Sequence, residues 1–124
     1  MEPAMEFARR LFVAVLIATL PRVADANTII DPGQTFALGG EQKNPVRIEG
    51  RNNGPVAIEL LRRRGKEQPE LIGRVMPGKR FMTTLPAGNT ALARNTSNEQ
   101  PAVIRFVFDG QIDGLSMRYE PSRR

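Results

Sequence analysis

The sequence predicts an all-β fold: a single antiparallel β-sandwich of about seven short strands, immunoglobulin-like or jelly-roll-like, after an N-terminal signal peptide. Three observations lead there. Beyond residue 26, apolar residues recur at every second position rather than at the 3.6-residue spacing of an amphipathic helix. Ten Pro and eleven Gly are spread along the chain, so turn signals fall roughly every 8 to 12 residues instead of gathering into one linker. No stretch after residue 26 carries a helical apolar stripe.

The elements follow in order. Asp31-Pro32-Gly33 is a turn, and the strand after it puts Phe36 and Leu38 on one face. Val46 and Ile48 alternate with Arg47 and Glu49. Asn52-Asn53-Gly54-Pro55 is a strong turn signal. Val56, Ile58 and Leu60 then define an inward face, with Ala57, Glu59 and Leu61 on the other. A short strand over 71–75 ends at Met76-Pro77-Gly78. Phe81, Thr83 and Leu85 alternate up to Pro86-Ala87-Gly88, and Thr90, Leu92 and Arg94 alternate with Ala91 and Ala93 up to Asn95-Thr96-Ser97-Asn98. Residues 103–108 are β-branched and aromatic, and Leu115, Met117 and Tyr119 share one face of a last strand. The pattern contains seven or eight strands. Met76, Met82 and Met117 read as core filler, and Asn95-Thr96-Ser97, although it matches a glycosylation acceptor, reads as turn chemistry.

Residues 1–26 read as an address. Arg9 and Arg10 form a basic n-region, Leu11 to Leu20 an apolar run too short to span a bilayer, and Ala24-Asp25-Ala26 a small-residue cleavage site. The expected product begins after Ala26 as one domain over residues 27–124, with no transmembrane segment, in the periplasm or outside the cell. Arg9-Arg10-Leu11-Phe12 partly matches a twin-arginine signal, but Ala8 stands where Ser or Thr is usual, so the general secretory route is favoured. The leader's Arg9, Arg10 and Arg22 balance its Glu2, Glu6 and Asp25, so the net charge of +5 belongs to the exported domain.

No Cys, His or Trp occurs. That excludes a Ser-His-Asp triad, a cysteine nucleophile and any zinc or copper site built on imidazole or thiolate. Carboxylate chemistry remains open, but no pair of carboxylates is nominated, so no enzyme is expected. Without Cys, a small exported domain must be held by core packing alone.

Two stretches carry candidate chemistry. Arg62-Arg63-Arg64-Gly65-Lys66 puts a dense positive charge in one place. A strand sends Arg62 and Arg64 to one face and Arg63 to the other, so the core is expected to end near Leu60 or Leu61. The arginines then flare out at a hairpin turned by residues 65–69, with Glu59, Glu67 and Glu70 partly neutralising them. Such a run either blunts an edge or binds an anion, with Lys79 and Arg80 joining from the Pro77-Gly78 turn. Nucleic acid is not expected, because no aromatic side chain is interleaved for stacking and export removes the chain from it. In Asp109-Gly110-Gln111-Ile112-Asp113-Gly114 through Glu120, the residues Asp109, Gln111, Asp113 and Glu120 have the spacing of a calcium loop. The competing reading makes Asp109-Gly110 and Asp113-Gly114 turns and residues 115–119 a strand, which pulls Glu120 away from Asp109.

Taken together, the residues point to a small exported interaction or structural module with no cofactor and an envelope protein as partner, working by strand addition. The alternative is a binder of acidic glycan or lipid phosphate through Arg62, Arg63, Arg64, Lys66, Lys79 and Arg80. Because the turn-and-strand reading of residues 109–120 is the stronger, millimolar calcium is expected to leave the melting temperature unchanged. A calcium-dependent rise that Asp113→Ala removes would instead establish the loop as a metal site.

Overall fold

The computed structural model describes residues 27–109 and 115–122; residues 1–26, where a leader is expected, lie outside them, as do Gln111 and Asp113. The described residues form nine strands and no helix: β1 (Thr28–Ile30), β2 (Gln34–Gly39), β3 (Val46–Asn52), β4 (Ile58–Arg64), β5 (Glu70–Val75), β6 (Arg80–Leu85), β7 (Asn89–Asn95), β8 (Ala102–Asp109) and β9 (Met117–Pro121). Two antiparallel sheets pack face to face, one ordered β1-β8-β3-β6 and the other β5-β4-β7-β2-β9.

The pairing has a simple logic. β4 pairs with β5, β3 with β6, β2 with β7 and β1 with β8, so the chain is one long antiparallel ribbon folded at the residue 65–69 hairpin. Rolling that ribbon brings β8 against β3 and β7 against β4, which closes the two sheets. This is jelly-roll topology, one of the two alternatives the sequence left open. β9 then adds a fifth strand beside β2, paired from Gln34↔Pro121 to Leu38↔Met117.

One expectation is corrected. β1 was not foreseen, because only three residues form it and one of them, Ile30, is buried. The core does end near Leu61, the last buried residue of β4, while the strand itself continues through Arg64, paired with β7 as far as Arg64↔Asn89 and with β5 as far as Arg62↔Glu70. Backbone pairing with β7 holds all three arginines in the strand after the inner-face apolar residues stop, and β5 supports Arg62 from the other side.

The main core lies between the sheets, where Ile30, Ile48, Ile58, Leu85 and Ile104 are all but fully buried. Phe106 is its aromatic centre, stacked on Phe36 at 5.7 Å and on Phe108 at 5.9 Å, with Phe81 edge-on at 6.2 Å. Gly50 makes room for that arrangement: a Cβ there would collide with the Phe81 ring. A second, smaller cluster of Ala37, Leu61 and Leu92 lies on the outer face of the five-stranded sheet.

Three buried amides hold the loops. Asn52 donates from Nδ2 to the carbonyls of Val56 (2.8 Å) and Val75 (3.0 Å), and its Oδ1 accepts from the Gly54 amide. Asn95 donates to Ile30 and Gln100 and accepts from Ser97, so the apparent glycosylation site is an internal staple with both amide hydrogens in use. Gln42 donates to Pro86 and Asn89 and accepts from Gly40. Each amide satisfies backbone groups that a loop cannot pair within a ladder.

Asn52→Ala leaves two carbonyls and one amide without a partner. It is expected to lower stability by about 3 kcal/mol, read as a lower urea midpoint with an unchanged slope. Asn52→Asp keeps the shape but turns oxygen towards two carbonyls, and is expected to lose at least as much.

Candidate functional site

The arginine run is strand, and its charges are answered by carboxylates. Arg62 lies 3.4 Å from Glu70 and Arg64 3.0 Å from Glu67, both at the exposed end of the hairpin. Arg63 faces the other way and makes a two-pronged bond to Glu120, with both N···O distances at 2.9 Å. Lys66, at the tip, has no ion-pair partner among the described residues. Glu59, expected to help neutralise the run, pairs instead with Arg94 at 2.8 Å.

Register explains the Arg63 contact. On the outer face of the five-stranded sheet, Glu59, Arg94, Thr35 and Glu120 form one cross-strand row, and Leu61, Leu92, Ala37 and Arg118 form the next. Arg63 stands one row further along. Its side chain and that of Glu120 meet over the row between, and their stems help to keep Leu61 and Leu92 buried on a face that would otherwise be wet. Arg118 adds a second contact to Glu120 at 3.2 Å. Beside this bridge lies a groove of about 840 Å³, floored by Leu61, Leu71 and Leu92 and walled by Arg94, the bridge itself and the 65–69 hairpin. The hydrogen bond from Arg63, above all, holds the Glu120 carboxyl below the usual carboxylate range, with the charges of Arg63 and Arg118 reinforcing it; the same bond raises the Arg63 guanidinium.

The six basic residues singled out in the sequence do not form one patch. Val75, just before the turn that carries Lys79, pairs with Ile58 at the start of β4, whereas the hairpin lies at the far end of the same ladder. Lys79 and Arg80 therefore sit at the opposite end of the sandwich from Arg62, Arg63, Arg64 and Lys66. Among the residues considered for calcium, Asp109 ends β8 opposite Arg47 in the four-stranded sheet, and Glu120 belongs to the far edge of the other sheet. Gln111 and Asp113 lie outside the described residues.

The two sides of the sandwich differ. On one side Tyr119 of β9 packs on Phe36 at 5.2 Å and donates its hydroxyl to the Ile29 carbonyl of β1 at 2.8 Å, bridging the sheets. On the other side β5 and β6 are both outermost strands, each paired on one side only. Between them an apolar crevice runs inward past Leu60, Ile72, Phe81 and Thr83 to Ile48 and Phe106, enclosing about 20 Å³. Leu71, Ile72, Met76 and Met82 are exposed along these edges. The methionines expected in the core are all more than half exposed: Met76 and Met82 lie on this open side and Met117 on β9. Met76 follows the last residue of β5, Met82 alternates with the inward Phe81 and Thr83, and Met117 faces Leu38 from an edge strand, a position that period-two alternation does not reveal.

The chain matches no protein-family model, no curated protein and no solved structure.

Glu120 gives the fold a pH dependence. Its folded pKa is depressed, so the stability it contributes is present above the unfolded value of about 4.3 and is lost as pH falls through the folded one. Glu120→Gln is therefore expected to cost about 1 kcal/mol at neutral pH. It should also narrow the gap from the parent as pH drops below about 4, measured by urea unfolding across pH. A gap that stays constant with pH would show that the carboxylate's charge contributes nothing.

Proposed function

We propose that this chain is a non-enzymatic interaction module, exported to the cell envelope, that accepts an extended segment of an envelope protein along its β5–β6 side. One observation carries the reading: two single-sided edge strands flank an apolar crevice that reaches the core. An unpaired edge offers a row of backbone donors and acceptors, and a pocket beside it supplies side-chain selectivity.

β6 is the better template. It keeps regular register with β3 over six consecutive pairs, whereas β5 shifts register opposite Leu60 and Leu61, which blunts its edge. An added strand on β6 would lower one apolar side chain between Ile72 and Phe81. The space there suits a single small branched or aliphatic group rather than an aromatic ring. Arg74, Lys79 and Arg80 flank the turn between the two edges, so a segment acidic at that end fits best. β9 is an internal precedent, because it completes the opposite edge by pairing along β2.

Anion binding at the arginine hairpin is less well supported, because Arg62, Arg63 and Arg64 each already hold a carboxylate. Hydrolysis by carboxylates gains nothing either, since Glu59 and Glu120 are both engaged by arginine.

The test is affinity capture from native envelope extract at low and high salt, comparing the parent with Ile72→Lys. The expected result is one protein retained at both salts by the parent and lost by the variant, whose melting temperature should be nearly unchanged because Ile72 is 43% exposed. Thr83→Lys, an inward-pointing charge on β6, is expected to abolish capture as well. Retention that is unaffected by both substitutions would overturn the reading.

A further inference from the structure

The outer face of the four-stranded sheet holds an arrangement of charge seen nowhere else among the described residues. Arg51 of β3 stands directly opposite Arg80 of β6 on one side and Arg105 of β8 on the other. Three arginines thus form one row across three neighbouring strands, about 4.8 Å from strand to strand. All three are exposed. None makes an ion pair or side-chain hydrogen bond among the described residues, whereas Arg47, Arg62, Arg63, Arg64, Arg94 and Arg118 each hold a carboxylate. Like charges placed directly opposite each other destabilise a sheet. Here the repulsion lacks the local compensation that those six arginines have.

The surroundings of the row narrow the partner. Ile29 and Val103 are paired on one side of it, and Val107 and Met82 both lie opposite Glu49 on the other side. Ile29 is 54% exposed and Met82 60%. Glu49, in the row next to Arg51, is turned to Arg47 at 3.2 Å, and Asp109 lies opposite Arg47 at the far end of the face, so neither carboxylate pairs with the Arg51 row. Among the described residues no aromatic side chain stands on this face, because the Phe side chains of β6 and β8 point inward and Tyr119 belongs to the other sheet. A sugar or a base would find nothing to stack on. Forked guanidinium donors suit phosphate oxygens, and exposed aliphatic and thioether groups beside them suit the apolar margin of a headgroup layer.

From this we infer that the Arg51 face docks onto a bilayer surface carrying anionic phospholipid. The three guanidiniums engage lipid phosphates, and Ile29 and Met82 dip into the headgroup region. The face points away from the crevice but adjoins it at β6, and Arg80 belongs to both the arginine row and the turn beside the edge.

The experiment is co-flotation of the purified chain with phosphatidylcholine vesicles, with and without phosphatidylglycerol, over a salt series. Binding is expected only with phosphatidylglycerol and is expected to weaken as salt rises. Each arginine near an anionic surface contributes about fivefold, so Arg51→Gln/Arg80→Gln/Arg105→Gln should lose roughly a hundredfold in partition. The triple variant should melt no lower than the parent, because it removes like-charge repulsion. Ile29→Ser/Met82→Ser should weaken binding while the arginines remain. Arg62→Gln/Arg64→Gln, at the other end of the molecule, should leave binding intact. Equal binding to neutral vesicles, or full binding by the triple variant, would overturn the inference. Tighter binding to soluble polyphosphate than to vesicles through the same arginines would also overturn it, assigning the face to a polymer instead.

Discussion

Asn52 is the constraint on which the rest of the molecule depends. It is fully buried at the end of β3, and each of its polar groups is engaged. Its side chain holds the 53–57 loop and the last residue of β5; its backbone N–H donates to Lys79 and its carbonyl accepts from Gly78. One residue thus joins the end of the four-stranded sheet to the start of β4, the end of β5 and the turn that crosses into β6. A chain without disulfides has few other ways to fix two sheets at that corner. The spacing between the β5 and β6 edges, and with it the crevice, follows from this junction. Asn95 and Gln42 do similar work elsewhere, and the three amides share one logic: a buried polar side chain is tolerated because it completes backbone groups that loops leave open.

Charge is distributed unevenly between the two outer faces. On the five-stranded sheet, positive groups meet negative ones at close range: Arg63 and Arg118 with Glu120, and Arg94 with Glu59. Those pairs lie over an apolar row and close it off, so their role is architectural. On the four-stranded sheet, the central row is arginine alone. Net charge by itself would not distinguish these situations. What separates them is whether the fold already supplies a counter-charge, and only the second face leaves that to something outside the chain.

The two sides of the sandwich show a related asymmetry. Where β1 and β9 meet, Tyr119 bridges the sheets, and β9 has satisfied the outward-facing groups of β2. Where β5 and β6 meet, nothing among the described residues does so. A jelly roll built from one folded ribbon has such corners by construction, because its two sheets are joined only where the chain crosses between them. This chain seals one corner with its own last strand and leaves apolar side chains along the other.

The sequence by itself determined the sandwich, most of its strands, their turns and the inward face of several of them. Period-two alternation and Pro-Gly punctuation are local signals, and they are as legible in a string as in a fold. Arg62 and Arg63 could be assigned to opposite faces for the same reason. Tertiary structure alone decided which strands became edges, and so why Met117, opposite the buried Leu38, is exposed rather than buried. It also decided that Glu120 answers Arg63 across a separation of 57 positions, and that Arg51, Arg80 and Arg105 share one row. Their distances along the chain carry no trace of that meeting. Sheet order and register are set by the packing of the whole ribbon, and side chains on neighbouring strands become partners only once that packing is complete.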